Sequence, residues 1–150
     1  MIKKCVCLIL ALLFALPAAG CWSYRGLDEM TIVSGIALDK DKETGNYLLS
    51  FEFVDLSGSV KENGPESKII ESEGKTIFEA VRNAKKKLRN KLYFGHAQML
   101  IINQDIAKEE DIGSIMDWFM RDGEVRETIN MAISREQTAQ DIFNAVGIDQ

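Results

Sequence analysis

One unbroken apolar run, Met99-Leu100-Ile101-Ile102, constrains the fold of this chain more than any other feature. Successive side chains of a strand point to opposite faces, so a strand that is apolar at every position must be covered on both faces. Such a strand lies inside a sheet, with other elements packed above and below it. The sequence therefore predicts a layered domain around a central strand at residues 97–103.

Four other segments are rich in β-branched residues or alternate in hydrophobicity, as strands do. They are residues 31–38, 47–54, 68–73 and 128–134. The first two are separated by DKDKETGN, which predicts a hairpin loop. This loop weakly resembles a calcium-binding loop, but Thr44 and Ser50 stand where that motif needs Gly and Glu, so we favour the hairpin.

A helix is predicted to begin after Thr76, because Thr76 and Glu79 have the spacing of a capping box. Its apolar residues recur every three or four positions and would form one buried stripe: Ile77, Val81, Ala84, Leu88 and Leu92. The preceding Gly74-Lys75 imitates the end of a phosphate-binding loop. Ile69 occupies the place of that motif's first Gly, so the cap is the better explanation.

Two further helices are predicted, from about residue 109 to 120 and from a cap near Thr138. Gly123 and Gly147 would end them. The order of elements predicts a single α+β domain over residues 31–150, with about three helices packed on a mixed sheet. His96, which opens the central strand, is interpreted as a packing residue rather than a pH-responsive group.

The first 20 residues predict a cleaved lipoprotein signal peptide. Lys3 and Lys4 precede the apolar residues 5–16, which would extend only about 18 Å as a helix against a hydrocarbon core of about 30 Å. The small residues 18–20 then lead directly to Cys21, as in a bacterial lipobox. An ordinary secretory signal followed by an incidental Cys is the alternative.

Lipidation of Cys21 would place a diacylglyceryl group on its thiol and an acyl chain on its amine, and no other cofactor is predicted. Residues 21–30 would form a lipid-anchored tether. Trp22 would then sit at the membrane surface or, alternatively, fold back onto the domain.

Loss of the leader would lower the formal net charge from −5 to −7, because Lys3 and Lys4 leave with it. So acidic a chain argues against nonspecific nucleic-acid binding and against adhesion of its whole surface to anionic lipid headgroups. Cys5 and Cys7 also leave, and lipidation uses Cys21, which excludes disulfides and thiolate-bound zinc in the folded domain. With one His and no nucleophile motif, the sequence offers no catalytic or metal-binding residue, so we predict that the protein is not an enzyme. The alternative is a lipid-anchored enzyme whose carboxylates, far apart in sequence, converge in the fold, but no local motif supports it.

The outer face of the first helix is basic. Its residues Arg82, Lys85, Lys86 and Arg89 would form, together with Trp22, a surface for a partner or for anionic lipid. The alternative is that this face is simply solvated, as most charged runs are.

Five segments occur in order between residue 20 and about residue 143. They are GCWSYRGLDEMTIVSGIALDKD, YLLSFEFV, GKTIFEAVRNAKKKL, LYFGHAQMLIINQDIAK and WFMRDGEVRETI. Together they resemble the Ger(x)C family of spore germination lipoproteins. The most specific pieces are the Cys-Trp pair at the anchor, the strand ending in Asp39, residues 93–97 and Arg121-Asp122. Ser23 and Gly26 stand where the family usually has acidic residues.

The resemblance implies a non-enzymatic C-type subunit of a nutrient germinant receptor, needed for assembly or signalling in spore germination. It implies an anchor on the outer face of the spore inner membrane, beside integral-membrane A- and B-type subunits. Because family members are much longer than 150 residues, it implies that the family's C-terminal part is absent here. The alternative function is a solute-binding lipoprotein that delivers a small ligand to a transporter, although such proteins usually have two lobes around a cleft.

Overall fold

The computed structural model describes residues 3–4, 30–54, 67–122 and 125–146. The predicted leader, Cys21, Trp22, nearly all of the tether, and the two predicted terminators Gly123 and Gly147 lie outside these residues. The described strands are β1 (Met30–Lys40), β2 (Tyr47–Val54), β3 (Ser67–Gly74), β4 (Lys91–Tyr93), β5 (Met99–Asn103) and β6 (Asn130–Ser134). The described helices are α1 (Ile77–Lys87), α2 (Gln104–Glu109), α3 (Ile112–Asp122) and α4 (Asp141–Val146).

The described strands form one mixed sheet in the order β3-β2-β1-β5-β6, with β4 pairing beside β5 on the same edge of β1. The pairs β1–β2 and β2–β3 are antiparallel, whereas β1–β4, β1–β5 and β5–β6 are parallel. The parallel strands β1, β4, β5 and β6 therefore all run in the same direction, with β4 beside the first part of β1 and β5 beside its later part. This confirms the predicted α+β domain with a mixed sheet.

Helices cover both faces of the sheet, as the apolar run in β5 predicted. Leu100 and Ile102 point into the larger cluster, which α1, α2 and α3 cover with Val81, Ala84, Ile106, Ile115 and Phe119. Ile101 points to the other face, into a smaller cluster with Ala37, Ala139 and Phe143. The buried residues of both clusters, among those that the structure describes, lie between Val33 and Phe143.

The first helix is shorter than the sequence predicted. It ends at Lys87, and Leu92 belongs to β4, where it is buried against the sheet. The chain must turn there because Leu92 pairs with Thr31 at the start of β1. Leu88 and Leu92 have helical spacing by coincidence, and both contribute to the larger cluster from extended backbone.

Three further details differ from the sequence predictions. Helix α2 was not predicted, because its six residues carry no full period of the helical pattern. His96 is exposed rather than packed, and its ring lies 5.9 Å from that of Tyr93. Met131 and Ile133, which made β6 recognisable, are about half exposed because β6 is the last strand of the described sheet. None of the described helices is long and apolar enough to cross a membrane.

Candidate interaction surfaces

The predicted surface residues of α1 are all solvent-exposed. Arg82, Lys85 and Lys86 lie on the helix, and Arg89 lies in the short connection to β4. Lys86 donates a hydrogen bond of 3.2 Å to Asn83, but no described carboxylate forms an ion pair with Arg82, Lys85 or Arg89. Within the described part of the chain, Arg82, Lys85 and Arg89 therefore have no counter-ion and face the solvent.

Two features of the chain fix α1 on the sheet. The hydroxyl of Thr76 accepts the backbone N–H of Glu79 at 3.1 Å, and the Glu79 carboxylate accepts the N–H of Lys75 at 3.0 Å, so the predicted cap is confirmed. Gly74 lets β3 turn closely into the helix, since a Cβ there would lie 2.4 Å from the backbone nitrogen of Ala80. The orientation of the basic face thus follows from the local sequence.

Side-chain bonds to β3 hold the inner flank of the same helix. Asn83 donates to the carbonyl of Glu73 at 2.9 Å, and Lys87 donates to the carbonyl of Glu71 at 2.7 Å. Lys87 is thereby directed towards the sheet, away from the other cations of α1. The exposed basic residues of this region are Arg82, Lys85, Lys86 and Arg89, the same four that the sequence predicted.

A second surface feature, which the sequence did not predict, is a cleft where the parallel strands β1 and β5 end. Its volume is about 480 Å³, and its polar lining includes Asp39, Lys40, Lys42, Asn103 and Asp105. Ligands of open α/β sheets commonly bind at this edge, because strand ends and helix starts converge there. The signal that could have identified it is the polar residue that follows each apolar strand.

Asp39 is 6% exposed and links three parts of the domain. Its carboxylate accepts the backbone N–H of Ala139 at 2.7 Å, the side-chain amide of Asn103 at 3.1 Å and the N–H of Gln140 at 3.3 Å. Burial raises the pKa of Asp39 above its ordinary value, although each of these hydrogen bonds opposes that rise. All of its contacts are internal, so the carboxylate holds α4 against the sheet.

The cations of the cleft are already neutralised. Lys42 forms an ion pair with Asp105 at 2.8 Å; hydrogen bonding between them raises the pKa of Lys42 and lowers that of Asp105. Lys40 pairs with Glu110 on the other side. Among the described residues no buried polar side-chain atom lacks a hydrogen-bond partner, so no buried group of the cleft is left unsatisfied.

Glu110 accepts hydrogen bonds from both Lys40 and Tyr47, while the Lys40 ammonium lies 5.2 Å from the centre of the Tyr47 ring. Burial alone would raise the pKa of Glu110, but the bonds from Lys40 and Tyr47 hold it below its ordinary value. Burial, together with the bond to Glu110, raises the pKa of Tyr47 to about 12. The sequence did not predict this cluster, because Glu110 lies more than 60 residues from both Lys40 and Tyr47.

The described residues hold no group of three or more His, Cys, Asp or Glu side chains placed to bind a metal ion.

The residues predicted to form an interaction surface fall into two groups. The structure places Arg82, Lys85 and Lys86 on α1 and Arg89 two residues after its end, whereas Cys21 and Trp22 lie outside the described residues.

Comparison with known proteins identifies relatives of the whole folded region. Residues 23–149 match the family model described as the spore germination protein N-terminal domain. The chain is 32% identical over 149 residues to spore germination protein KC of Bacillus subtilis (strain 168), covering 95% of this chain and 36% of that protein. It is 25% identical to spore germination protein B3 and 28% identical to spore germination protein A3 of the same strain, covering 85% and 84% of this chain and 34% of each relative.

The chain thus spans about a third of the length of the curated relatives it matches. No solved structure matches it significantly.

Proposed function

Because the chain belongs to the spore germination family defined by its N-terminal domain, we propose that it is a non-enzymatic, C-type subunit of a nutrient germinant receptor. The family match over residues 23–149 is the observation that carries this proposal. The subunit acts through protein contacts, in receptor assembly or signalling, beside integral-membrane A- and B-type subunits.

The proposal includes a lipid anchor on Cys21, which holds the domain on the outer face of the spore inner membrane. Support comes from the sequence, in which the small residues 18–20 precede Cys21 and a charged, apolar leader precedes them. A thioether-linked diacylglyceryl group together with an N-acyl chain gives stable attachment, whereas a single chain attaches only marginally.

The alternative function, capture of a solute for a transporter, would use the cleft at the ends of β1 and β5. That cleft is the observation that favours it, since ligand sites of such sheets lie at this edge. Against it, Lys40 and Lys42 are paired with carboxylates and Asp39 is fully hydrogen-bonded within the domain. A ligand-dependent rise in melting temperature would favour this alternative.

Deletion of the gene tests the receptor assignment. Spores without it should lose the response to one nutrient class and should still germinate with triggers that bypass nutrient receptors, because a receptor subunit acts upstream of cortex breakdown. Expression of the wild-type gene in the deletion strain is the control and should restore the response. Normal nutrient germination in a deletion strain that has no second receptor of this type would refute the assignment.

Replacement of the anchor residue tests the lipidation. Cys21→Ala should abolish palmitate labelling and move the protein from the membrane to the soluble fraction in high salt, while Ser23→Ala should change neither. Persistent attachment of the Cys21→Ala protein in high salt would contradict a lipid anchor.

A further inference from the structure

The solvent face of α1 carries an exposed aromatic ring among its cations. Phe78 is 53% exposed, although phenylalanine is usually buried. At 3.6 residues per turn, Phe78, Arg82, Lys85 and Lys86 fall within a sector of about 100° on the helix. The opposite side holds the buried residues Ile77, Ala80, Val81 and Ala84. The helix therefore has a basic-aromatic face, which we define as Phe78, Arg82, Lys85 and Lys86.

This face belongs to a local positive region of an acidic protein. Six of the ten residues from 82 to 91 are Lys or Arg, and none is Asp or Glu. Arg82 and Lys85 form no ion pair with any described carboxylate. An anionic surface would attract this region and repel the rest of the chain, so the charge distribution favours one orientation of the domain.

The topology brings the end of α1 to the start of β1, the strand that follows the expected tether. Strands β3 and β4 both run parallel to β1, so α1 must carry the chain back to the end of the sheet where β1 begins. Lys91, four residues after the helix ends, pairs with Met30, the first residue of β1. Cys21 precedes Met30 by nine residues, and nine residues of fully extended chain span about 30 Å.

We propose that the basic-aromatic face of α1 lies on anionic lipid headgroups and orients the domain on the membrane. This proposal rests on the proposed function, because a lipid-anchored domain is held where such headgroups are available. Cations next to a lipid anchor are attracted to the negative surface potential of a leaflet, and aromatic rings favour the headgroup region. An acidic segment of a receptor subunit is the competing partner.

Vesicle binding by a chain without the anchor tests the proposal separately from lipidation. Residues 22–150 contain every residue of the described core and no cysteine, so this chain can be purified without leader or lipid. It should sediment with vesicles containing about a quarter phosphatidylglycerol, but not with pure phosphatidylcholine. This binding should disappear near 1 M salt, where the Debye length is only about 3 Å.

Matched charge reversals locate the contact. Arg82→Glu with Lys85→Glu should weaken binding to the anionic vesicles by at least about 20-fold, since each cation near the surface contributes roughly fivefold. Lys108→Glu with Arg135→Glu makes the same change in net charge at the opposite end of the sheet, on two exposed residues. This control should change binding by less than about threefold. Phe78→Ala should weaken binding several-fold without a change in salt dependence.

Equal losses for the two double variants, or no binding of the wild-type chain to anionic vesicles, would overturn the proposal. A wild-type chain that ignores vesicles but needs Arg82 and Lys85 for receptor assembly would assign the face to an acidic protein segment instead. Neither result depends on whether Cys21 is lipidated, so a failure here is distinguishable from a failure of the anchor.

Discussion

The carboxylate of Asp39, at the end of β1, accepts a hydrogen bond of 2.7 Å from the backbone N–H of Ala139, 100 residues further along the chain. Gln140 donates to the same carboxylate, immediately before α4 begins. The first strand thus holds the start of the last described helix, on the face of the sheet where Ile101 and Phe143 are buried.

Asp39→Ala should therefore destabilise the domain by about 2–4 kcal/mol, because it leaves three donors without their shared acceptor in a buried position. Asp105→Ala, in the same cleft, removes only an exposed ion pair with Lys42 and should cost about 0–1 kcal/mol. Urea unfolding of the two variants measures the difference. Equal midpoints would contradict the structural role of Asp39.

Gly74 should resist replacement even by alanine. A Cβ at this position would lie 2.4 Å from the backbone nitrogen of Ala80, so the β3–α1 connection must shift, at a cost of about 1–3 kcal/mol. Gly113→Ala is the matched control, because its Cβ would meet only the Asp111 carboxylate at 3.2 Å and alanine favours the helix. Thermal unfolding should show a lower melting temperature for Gly74→Ala alone, and the reverse order would argue against the close approach.

Sequence patterns located most of the sheet because its strands are defined by local burial. The apolar run in β5 predicted cover on both faces, and Ile101 and Ile102 do enter different clusters. The predicted end of α1 was wrong, because helical spacing continues to Leu92 in the sequence while pairing with β1 requires an extended chain there. A long-range contact decided the backbone at that point, and no local pattern records such a contact.

The candidate surfaces also differ in whether the sequence could predict them. The basic face of α1 could be predicted because its residues are neighbours on one helix, with a period visible in the sequence. The cluster of Lys40, Tyr47 and Glu110 could not, since the ends of three separate elements bring it together. The sequence analysis missed Phe78, although the same helical period places it outside the apolar stripe, on the side of Arg82 and Lys85.

The Glu110 cluster predicts a pH dependence of stability. The folded pKa of Glu110 lies below its ordinary value of 4.5, so its contribution is complete above about pH 4.5 and is lost as the pH falls through the lowered pKa. Glu110→Gln should cost about 1–2 kcal/mol at neutral pH, and this difference should shrink in acid. Tyr47→Phe keeps the Lys40 pair and should retain most of the pH dependence. A difference between wild type and Glu110→Gln that stays constant from pH 7 to about pH 3 would contradict this coupling.

The central strand offers the most severe test of the fold. Ile101 is 1% exposed between Ala37, Ala139 and Phe143, so Ile101→Asp would bury a charge with no cation in that cluster. The cost should exceed about 4 kcal/mol, a large part of the 5–15 kcal/mol that stabilises a typical domain, and the variant should be unfolded or nearly so. Ile101→Val keeps the apolar contact and should cost about 1 kcal/mol, whereas Lys86→Glu on the solvent face of α1 should change stability by less than about 0.5 kcal/mol. Circular dichroism and thermal unfolding of the three variants measure this order. A melting temperature of Ile101→Asp equal to that of wild type would mean that β5 does not lie at the centre of the sheet.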